Sequence, residues 1–118
     1  MGYHVHITRK KHWADPNGAK ISAEEWLAYV ASDPQLRLLA GSKTHLVITD
    51  IGSPRPSPEL EWSENGYIWT NKPDEHMLAK MLQIASALGA RVQGWDGAVY
   101  RSANLDDYVF PEDTSIDR

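Results

Sequence analysis

The chain is 118 residues long, contains no cysteine and carries a formal net charge of −4, so disulfides, thiolate metal sites and cysteine nucleophiles are all excluded. Its acidic balance lacks the basic surface that non-specific nucleic-acid binding requires, and it suits a protein that meets a basic partner. Because cysteine, a secretory signal pattern and a membrane-length apolar run are all lacking, we expect a cytoplasmic protein without a membrane partner.

The first predicted element is a strand over residues 3–9, where polar and apolar side chains alternate with period two. The apolar positions are Tyr3, Val5 and Ile7, and the polar positions are His4, His6 and Thr8. Asp15-Pro16 and Asn17-Gly18 then predict a loop. The strand is therefore expected to have one apolar face and one face that carries histidines.

A helix is predicted over about residues 23–32, because Ser22 and Glu25 have the spacing of a capping box and an apolar face follows them. Asp33-Pro34 is typical of a second helix start with proline at the first helical position. This dipeptide indicates a short helical turn over residues 36–38.

A second strand is predicted over residues 44–49, and two further pairs of strands follow around glycine-containing turns. Asn65-Gly66 separates runs at 59–62 and 67–70 that are rich in apolar and aromatic residues. This dipeptide tolerates the two positive φ angles of a type I′ turn, so it predicts a hairpin. Asp96-Gly97 predicts another hairpin in the same way.

The strongest helix signal lies between these hairpins. Apolar residues recur at steps of three and four after Pro73-Asp74-Glu75, and Gly89 is placed to end the helix. Acidic residues at its start suit the helix dipole. Before the first hairpin, three alternate prolines in residues 53–58 predict an extended surface connector.

The predicted order of elements is β-α-β-ββ-α-ββ, without an internal repeat or a domain boundary. Hairpins dominate and helices are few, which predicts an α+β fold with an antiparallel or mixed sheet and two main helices packed on one face. A single domain is expected over residues 1–118, with residues 102–118 as a polar, acidic tail at its periphery.

Two histidines on one face of the first strand are candidates for a metal site. His4 and His6 have the spacing to share a divalent cation, with His45 or Asp15 as a third ligand. No completing cluster is recognisable by spacing, however, and imidazoles hydrogen-bonded on a half-exposed sheet face are the favoured interpretation. We therefore expect no metal and no cofactor.

His6-Ile7-Thr8 also resembles the His-x-Thr element of the two-histidine phosphoesterases. In that family the histidine acts as acid and base and the threonine holds phosphate. The family pattern needs two facing copies, whereas His45-Leu46-Val47 lacks the hydroxyl, and the chain is short for the family's two-lobed fold. A small hydrolase or phosphoesterase that uses His4, His6 and Thr8 remains an alternative hypothesis.

Binding residues are expected on the N-terminal strand and among the tryptophans. Arg9 and Trp13 combine a cation with an aromatic ring, which suits recognition of phosphate or carboxylate. Tryptophan provides anchors at interfaces, and the chain has five tryptophans against one phenylalanine. The expected contact residues are Tyr3, His4, His6, Arg9, His12, Trp13, Trp62, Trp69 and Trp95.

Three blocks of the chain together resemble a poorly characterised family of short bacterial proteins that has no established activity. They are Tyr3-His4-Val5-His6-Ile7-Thr8-Arg9 with Trp13, the helix from Ile21 to Val30, and Ala87-Leu88-Gly89-Ala90-Arg91-Val92-Gln93-Gly94 with Asp96-Gly97. The resemblance covers both ends of the chain and weakens over residues 42–58. It implies an immunity or accessory partner of a bacterial effector, and it carries over no catalytic residue.

The favoured hypothesis is a non-catalytic binding protein that occludes a protein partner, such as a basic toxin steered to its acidic surface. The hydrolase is the first alternative. A homo-oligomeric module is the second alternative, in which an exposed hairpin edge such as residues 67–70 pairs across a two-fold axis.

Overall fold

The computed structural model describes residues 3–52 and 59–110. Within them the elements are β1 His4–Thr8, α1 Ala23–Ser32, β2 Leu36–Leu38, β3 Val47–Thr49, β4 Glu59–Trp62, β5 Ile68–Asn71, α2 Glu75–Leu88, β6 Arg91–Gly94, β7 Val99–Tyr100 and β8 Tyr108–Val109. The strands pair antiparallel in one eight-stranded sheet, in the order β2-β3-β4-β5-β1-β6-β7-β8. The predicted α+β class is confirmed.

Both helices pack on one face of the sheet and enclose the apolar core. Helix α2 lies against β6 and β1, and α1 lies against β2. Core residues from both layers are fully buried, among them Val5, Ile7, Trp26, Leu60, Ile68, Met77, Met81, Ile84 and Val92. This confirms the prediction that the apolar side chains of the first strand face the core.

The opposite face of the sheet has no helix over it, and we call it the helix-free face. Side chains alternate along strands, and residues directly opposite each other in antiparallel strands share a face. His6 lies opposite Trp69 on one side and Gln93 on the other, and Trp69 lies opposite Glu61. The helix-free face therefore carries His4, His6, Glu61, Trp69 and Gln93.

Local capping explains why both helices have the predicted bounds. The Ser22 side chain accepts a hydrogen bond from the Glu25 amide at 3.1 Å, and the Glu25 carboxylate accepts one from the Ser22 amide at 3.1 Å. The Asp74 side chain accepts from the Met77 amide at 2.8 Å at the start of α2. Gly89 ends α2 with a φ of 64°, in the left-handed region that glycine enters without a steric penalty.

Residues 36–38 form strand β2, so the prediction of a short helical turn there was wrong. Asp33 is the C-cap of α1 rather than the start of a new helix, and its side chain accepts from the Gln35 amide at 3.0 Å. Leu36 then pairs with Thr49 of β3. A three-residue segment is too short to stabilise a helix by itself, whereas pairing with a neighbouring strand satisfies its backbone.

The two predicted hairpins are confirmed, but the first turn is not of type I′. The Gly66 amide donates to the Ser63 carbonyl at 2.8 Å, and the Ser63 amide donates to the Tyr67 carbonyl at 2.8 Å. A positive φ occurs at Gly66, at 92°, and not at the residue before it. A type I turn followed by one left-handed glycine fits this geometry. Gly97 repeats the arrangement, donating to the Gly94 carbonyl at 2.9 Å.

Strand β3 begins at Val47, three residues later than predicted. His45 has a φ of 50°, in the left-handed region, so an extended strand cannot pass through it. Its carbonyl accepts a hydrogen bond from the Trp26 indole at 3.1 Å. The segment 42–46 is consequently an irregular connection beside the end of β4.

Strand β5 lies between β4 and β1, which overturns the idea that residues 67–70 offer a free edge for pairing with a second copy. Part of the predicted acidic tail is a strand, since Tyr108 pairs with Tyr100. The predicted proline connector at 53–58 lies outside the described residues, as do residues 111–118.

Candidate functional site

His6 lies at the centre of the helix-free face, yet it is only 1% exposed. The Trp13 ring stacks on its imidazole, with 3.8 Å between centroids and an interplanar angle of 8°. The Tyr67 ring meets it edge-on at 5.0 Å, and His6 Nδ1 donates to the Gln93 carbonyl at 3.2 Å. Because burial disfavours the charged ring, the pKa of His6 falls to about 4. His6 is therefore neutral at pH 7.

The loop after β1 holds Trp13 in place over His6. The Trp13 amide donates to Gln93 Oε1 at 2.7 Å, and its indole Nε1 donates to the Trp95 carbonyl at 3.0 Å. Gln93 Nε2 donates in turn to the Lys11 carbonyl at 3.2 Å. Gln93 was not among the predicted site residues, although a glutamine inside a short strand between turns was a signal for such a role.

The His-x-Thr pair is covered by the same loop. Thr8 is fully buried, and its hydroxyl oxygen accepts a hydrogen bond from the Lys10 amide at 3.0 Å. Lys10 is itself buried, and its ammonium donates to the Asp15 carbonyl at 2.6 Å. A phosphate group would have to displace this loop before it reached His6 or Thr8.

Arg9, a predicted contact residue, joins three parts of the fold. Its guanidinium donates to both oxygens of Glu25, at 2.9 and 2.7 Å, and to the Leu88 carbonyl at 2.8 Å. These bonds link β1 to the start of α1 and to the end of α2. The hydrogen bond from Arg9, together with that from Ser22, lowers the pKa of Glu25 to about 2. Arg9 is thus engaged within the fold rather than presented to a ligand.

Tyr3 and Trp62, also predicted as contacts, pack against the core in part. Tyr3 donates to the Asp96 carboxylate at 3.1 Å and accepts from the Tyr100 hydroxyl at 3.2 Å. Burial, with these hydrogen bonds, raises the pKa of Tyr3 well above its ordinary value. The Trp62 indole donates to the Ile21 carbonyl at 2.9 Å.

The remaining predicted contact residues form one accessible aromatic patch. The exposed His4 ring lies 4.6 Å from the Trp69 ring, between centroids. The His12 ring lies 5.8 Å from that of Trp13, and Trp95 is 57% exposed. Together with the covered His6, the structure brings most of the predicted aromatic contacts onto the helix-free face.

The geometry provides no metal-binding cluster in the part of the chain that the structure describes, since no group of three His, Cys, Asp or Glu there could hold an ion. The rings of His4 and His6 are 6.3 Å apart, between centroids. His45 precedes β3, three strands from β1 in the sheet, or roughly 14 Å at the usual strand spacing. Asp15 caps its own loop, accepting from the Asn17 amide at 3.0 Å.

A cavity of about 490 Å³ opens at the end of β4, and we call it the β4 cavity. Its lining includes Lys43, Glu61, Trp62, Glu64 and Trp69. Apart from the tryptophans, these residues were not predicted. The alternation of Glu59 and Glu61 along β4 was the available signal, because it places both carboxylates on one face of the sheet.

Comparison with protein-family models, with curated proteins and with solved structures finds no match to the chain. No helix in residues 3–52 and 59–110 is long and apolar enough to cross a membrane. Function must accordingly be inferred from the residues themselves.

Proposed function

We propose that the protein is a non-catalytic cytoplasmic binding protein that holds a basic protein partner against its helix-free face, as an immunity or accessory protein of an effector toxin would. One observation carries this proposal. Trp69 belongs both to the aromatic patch that it forms with His4 and Trp95 and to the lining of the β4 cavity, whose carboxylates have no ion pair within the described residues.

The aromatic patch has the properties of an interface anchor. Aromatic side chains dominate binding energy when they lie in preformed positions, because little side-chain entropy is then lost on association. Stacking on His6 and two hydrogen bonds hold Trp13 in place, and contact with His4 positions Trp69. The patch is therefore organised before any partner arrives.

The distribution of charge favours a basic partner. The chain carries a net charge of −4, and Glu61 and Glu64 border the β4 cavity at one end of the aromatic patch. Opposite charges on two surfaces raise the association rate and disfavour like-charged competitors. A basic toxin fits this surface better than an acidic one.

The hydrolase alternative receives less support from the same residues. An effective general acid or base has a pKa near the working pH and reaches its substrate. The pKa of His6 lies at about 4, and Trp13 covers its ring. His4 is exposed, but Trp69 rather than a carboxylate lies against it. Binding by the patch needs no rearrangement, whereas catalysis at His6 does.

The proposal is tested by capture from a lysate of the source organism on the immobilised protein, with and without chelator, followed by quantitative mass spectrometry. The site variant is Trp69→Ser with Trp95→Ser. The matched control is Leu39→Ser, which replaces a side chain that is 47% exposed beyond the end of β2. We expect one basic protein in near-stoichiometric amount on wild type and control, and at least about tenfold less on the site variant.

Chelator should not change the amount captured. Recovery of no protein in stoichiometric amount, or equal recovery on all three forms, would contradict the proposal. Turnover of a phosphoester by the wild type that is lost in His4→Ala would favour the hydrolase instead.

A further inference from the structure

Two of the residues that line the β4 cavity are tryptophans whose rings are positioned by contacts within the fold before any ligand binds. The cavity lies where β4 extends past Val47, the first residue of β3, so residues from both faces of β4 line it. The Trp62 indole is held by its hydrogen bond to Ile21, at 2.9 Å, and the Trp69 ring by its contact with His4, at 4.6 Å. The volume of about 490 Å³ falls in the range of small-ligand sites, roughly 300–1,000 Å³.

Two carboxylates at this cavity have no partner within the described residues. Glu61 lies directly opposite Trp69 in the ladder, and Glu64 belongs to the turn that follows β4. Neither side chain has a hydrogen bond or an ion pair with another described residue. Lys43 also lines the cavity but lies within ion-pair distance of neither carboxylate. The cavity therefore has an excess of negative charge.

A histidine with an unusual backbone conformation lies next to the cavity wall. His45 follows the lining residue Thr44, and its ring packs edge-on against Trp62 at 5.4 Å. His45 has a left-handed φ of 50°, and its Nδ1 is buried without a hydrogen-bond partner among the described residues. Backbone strain and an unsatisfied buried nitrogen both cost energy, and they collect at ligand-binding sites more than elsewhere.

From the juxtaposition of fixed indoles and unpaired carboxylates, we infer that the β4 cavity binds the guanidinium group of an arginine side chain. The arginine belongs to the basic partner, so this inference rests on the proposed function and names the chemistry of its anchor. The site itself is complete in this chain and can be tested without the partner.

The lining selects guanidinium over other ligand classes. A guanidinium is planar, stacks on indole faces and donates two parallel hydrogen bonds to a carboxylate. An ammonium carries the same charge but is compact and strongly hydrated, so its contact with the indole rings is less favourable. A phosphate or carboxylate ligand would meet repulsion from Glu61 and Glu64. Arginine is also the cation most enriched among interface anchors.

The test is a titration of the isotopically labelled full chain with blocked arginine, N-acetyl-arginine methylamide, followed by the indole Nε1–H signals in nitrogen–proton NMR spectra. Blocked citrulline, which replaces the guanidinium with a neutral urea of the same shape, is the ligand control. We expect saturable shifts of the Trp62 and Trp69 signals at millimolar arginine. The signals of Trp26 in the core and Trp95 on the β6–β7 turn should stay in place.

Three variants then test which charged side chains contribute to arginine binding. Glu61→Gln should weaken arginine binding at least about tenfold, because a charge-assisted hydrogen bond is lost. Lys43→Met should strengthen binding about two- to threefold, because a like charge is removed. Glu24→Gln, an exposed glutamate on α1, is the matched control and should leave binding unchanged.

Equal shifts with citrulline, shifts spread over all the indoles, or no shift up to high millimolar arginine would each overturn the inference. Equal weakening by Glu61→Gln and Glu24→Gln would do the same, since it would leave only non-specific attraction to an acidic protein. Arginine binding without capture of a basic partner would contradict the proposed function alone. If the Glu61→Gln variant still captures the basic partner and the wild type does not bind blocked arginine, the inference alone would be contradicted.

Discussion

The buried Lys80–Asp33 pair on the helix-covered face is charged, whereas the buried His6 on the helix-free face is neutral. Lys80 Nζ lies 2.7 Å from Asp33 Oδ2 and donates to Gln35 Oε1 at 2.7 Å, and the two charged side chains are only 2% and 7% exposed. His6 is enclosed instead by the rings of Trp13 and Tyr67. Oxygen ligands stabilise a buried charge, whereas burial without such ligands favours the neutral form.

The pKa of Asp33 follows the same logic. Burial would raise it, but hydrogen bonds from Lys80, from the Gln35 amide and from the Tyr29 hydroxyl outweigh burial and hold the pKa below its ordinary value. Polar networks of this kind fix the position of a helix end. The helix-covered face therefore stabilises the fold, while the helix-free face keeps an ordered surface available for recognition.

The largest effect is expected when the charged pair is broken. Lys80→Met should lower the free energy of unfolding by about 3–5 kcal/mol, because Asp33 is left buried and charged without its cation. Urea denaturation at pH 7 measures this. Lys11→Met, at an exposed position, should change stability by less than about 0.5 kcal/mol.

Asp33→Asn in the Lys80→Met background should recover part of the loss, since no uncompensated charge then remains. A loss below about 1 kcal/mol in Lys80→Met would mean that the pair is hydrated in solution, and the contrast between the two faces would fail.

The second prediction concerns pH and the neutral histidine. The pKa of His6 is about 4 in the folded chain, against an ordinary value of 6.5, so the unfolded chain binds the extra proton between these values. The contribution of neutral His6 to the free energy of unfolding is fully present above pH 6.5. It is lost as the pH falls toward 4, by about 3 kcal/mol in all. Asp33, whose folded pKa is depressed, contributes its own loss only at lower pH, below its ordinary value of 3.8.

His6→Phe keeps a ring beneath Trp13 and cannot titrate, so urea denaturation between pH 6.5 and 4 should show a shallower fall in stability than in wild type. Leu39→Ser is the control, because it replaces a side chain that does not titrate and is 47% exposed, and it should retain the wild-type slope. Identical slopes in wild type and His6→Phe would show that His6 does not stay neutral.

Removing the cover over His6 should have a smaller effect on stability and a clear effect on its pKa. Trp13→Ala loses the stacked ring and the indole hydrogen bond, at a cost of about 2 kcal/mol. The pKa of His6 should then rise from about 4 toward 6.5 in an NMR titration, because water reaches the ring. Trp95→Ala is the control, because it keeps the backbone carbonyl that Trp13 binds, and it should leave the pKa of His6 unchanged. If the pKa of His6 rises in both variants, the cause is displacement of the whole loop rather than loss of the stacked ring.

The residues of the β4 cavity should matter least for stability. Glu61→Gln and Glu64→Gln remove no ion pair within the described residues, so each should change the free energy of unfolding by less than about 0.5 kcal/mol. Thermal and urea denaturation check this. A loss above about 1 kcal/mol would assign these carboxylates to the fold rather than to a ligand.

The two faces also differ in how far sequence determines them. Caps at Ser22, Asp74 and Gly89, with helical periodicity between, are local signals, so both helices were predicted with correct bounds. Strand β2 was missed because its three residues are extended only through pairing with β3. Trp69 was predicted as a contact residue from its residue type alone, and strand alternation explains its place on the helix-free face.

The cover over His6 could not be predicted from local patterns. It depends on the Trp13 amide bonding to Gln93, 80 residues away in the chain, and on a loop that folds back over the sheet. The β4 cavity likewise depends on where β3 begins, which the left-handed φ of His45 sets. Neither the hydrogen bond between Trp13 and Gln93 nor the position of β3 follows from a residue spacing that can be recognised in the sequence.

The most direct test of recognition by the helix-free face is amide hydrogen exchange of the protein alone and in complex with the basic protein that it captures. Exchange should slow in the segment 42–46 and in the turn 63–66, which border the β4 cavity, and in the turn 94–97 that carries Trp95. Helix α1, on the opposite face, should exchange at the same rate in both states. Slowing confined to α1 and β2, with both cavity segments unchanged, would contradict the account and place the partner on the helix-covered side.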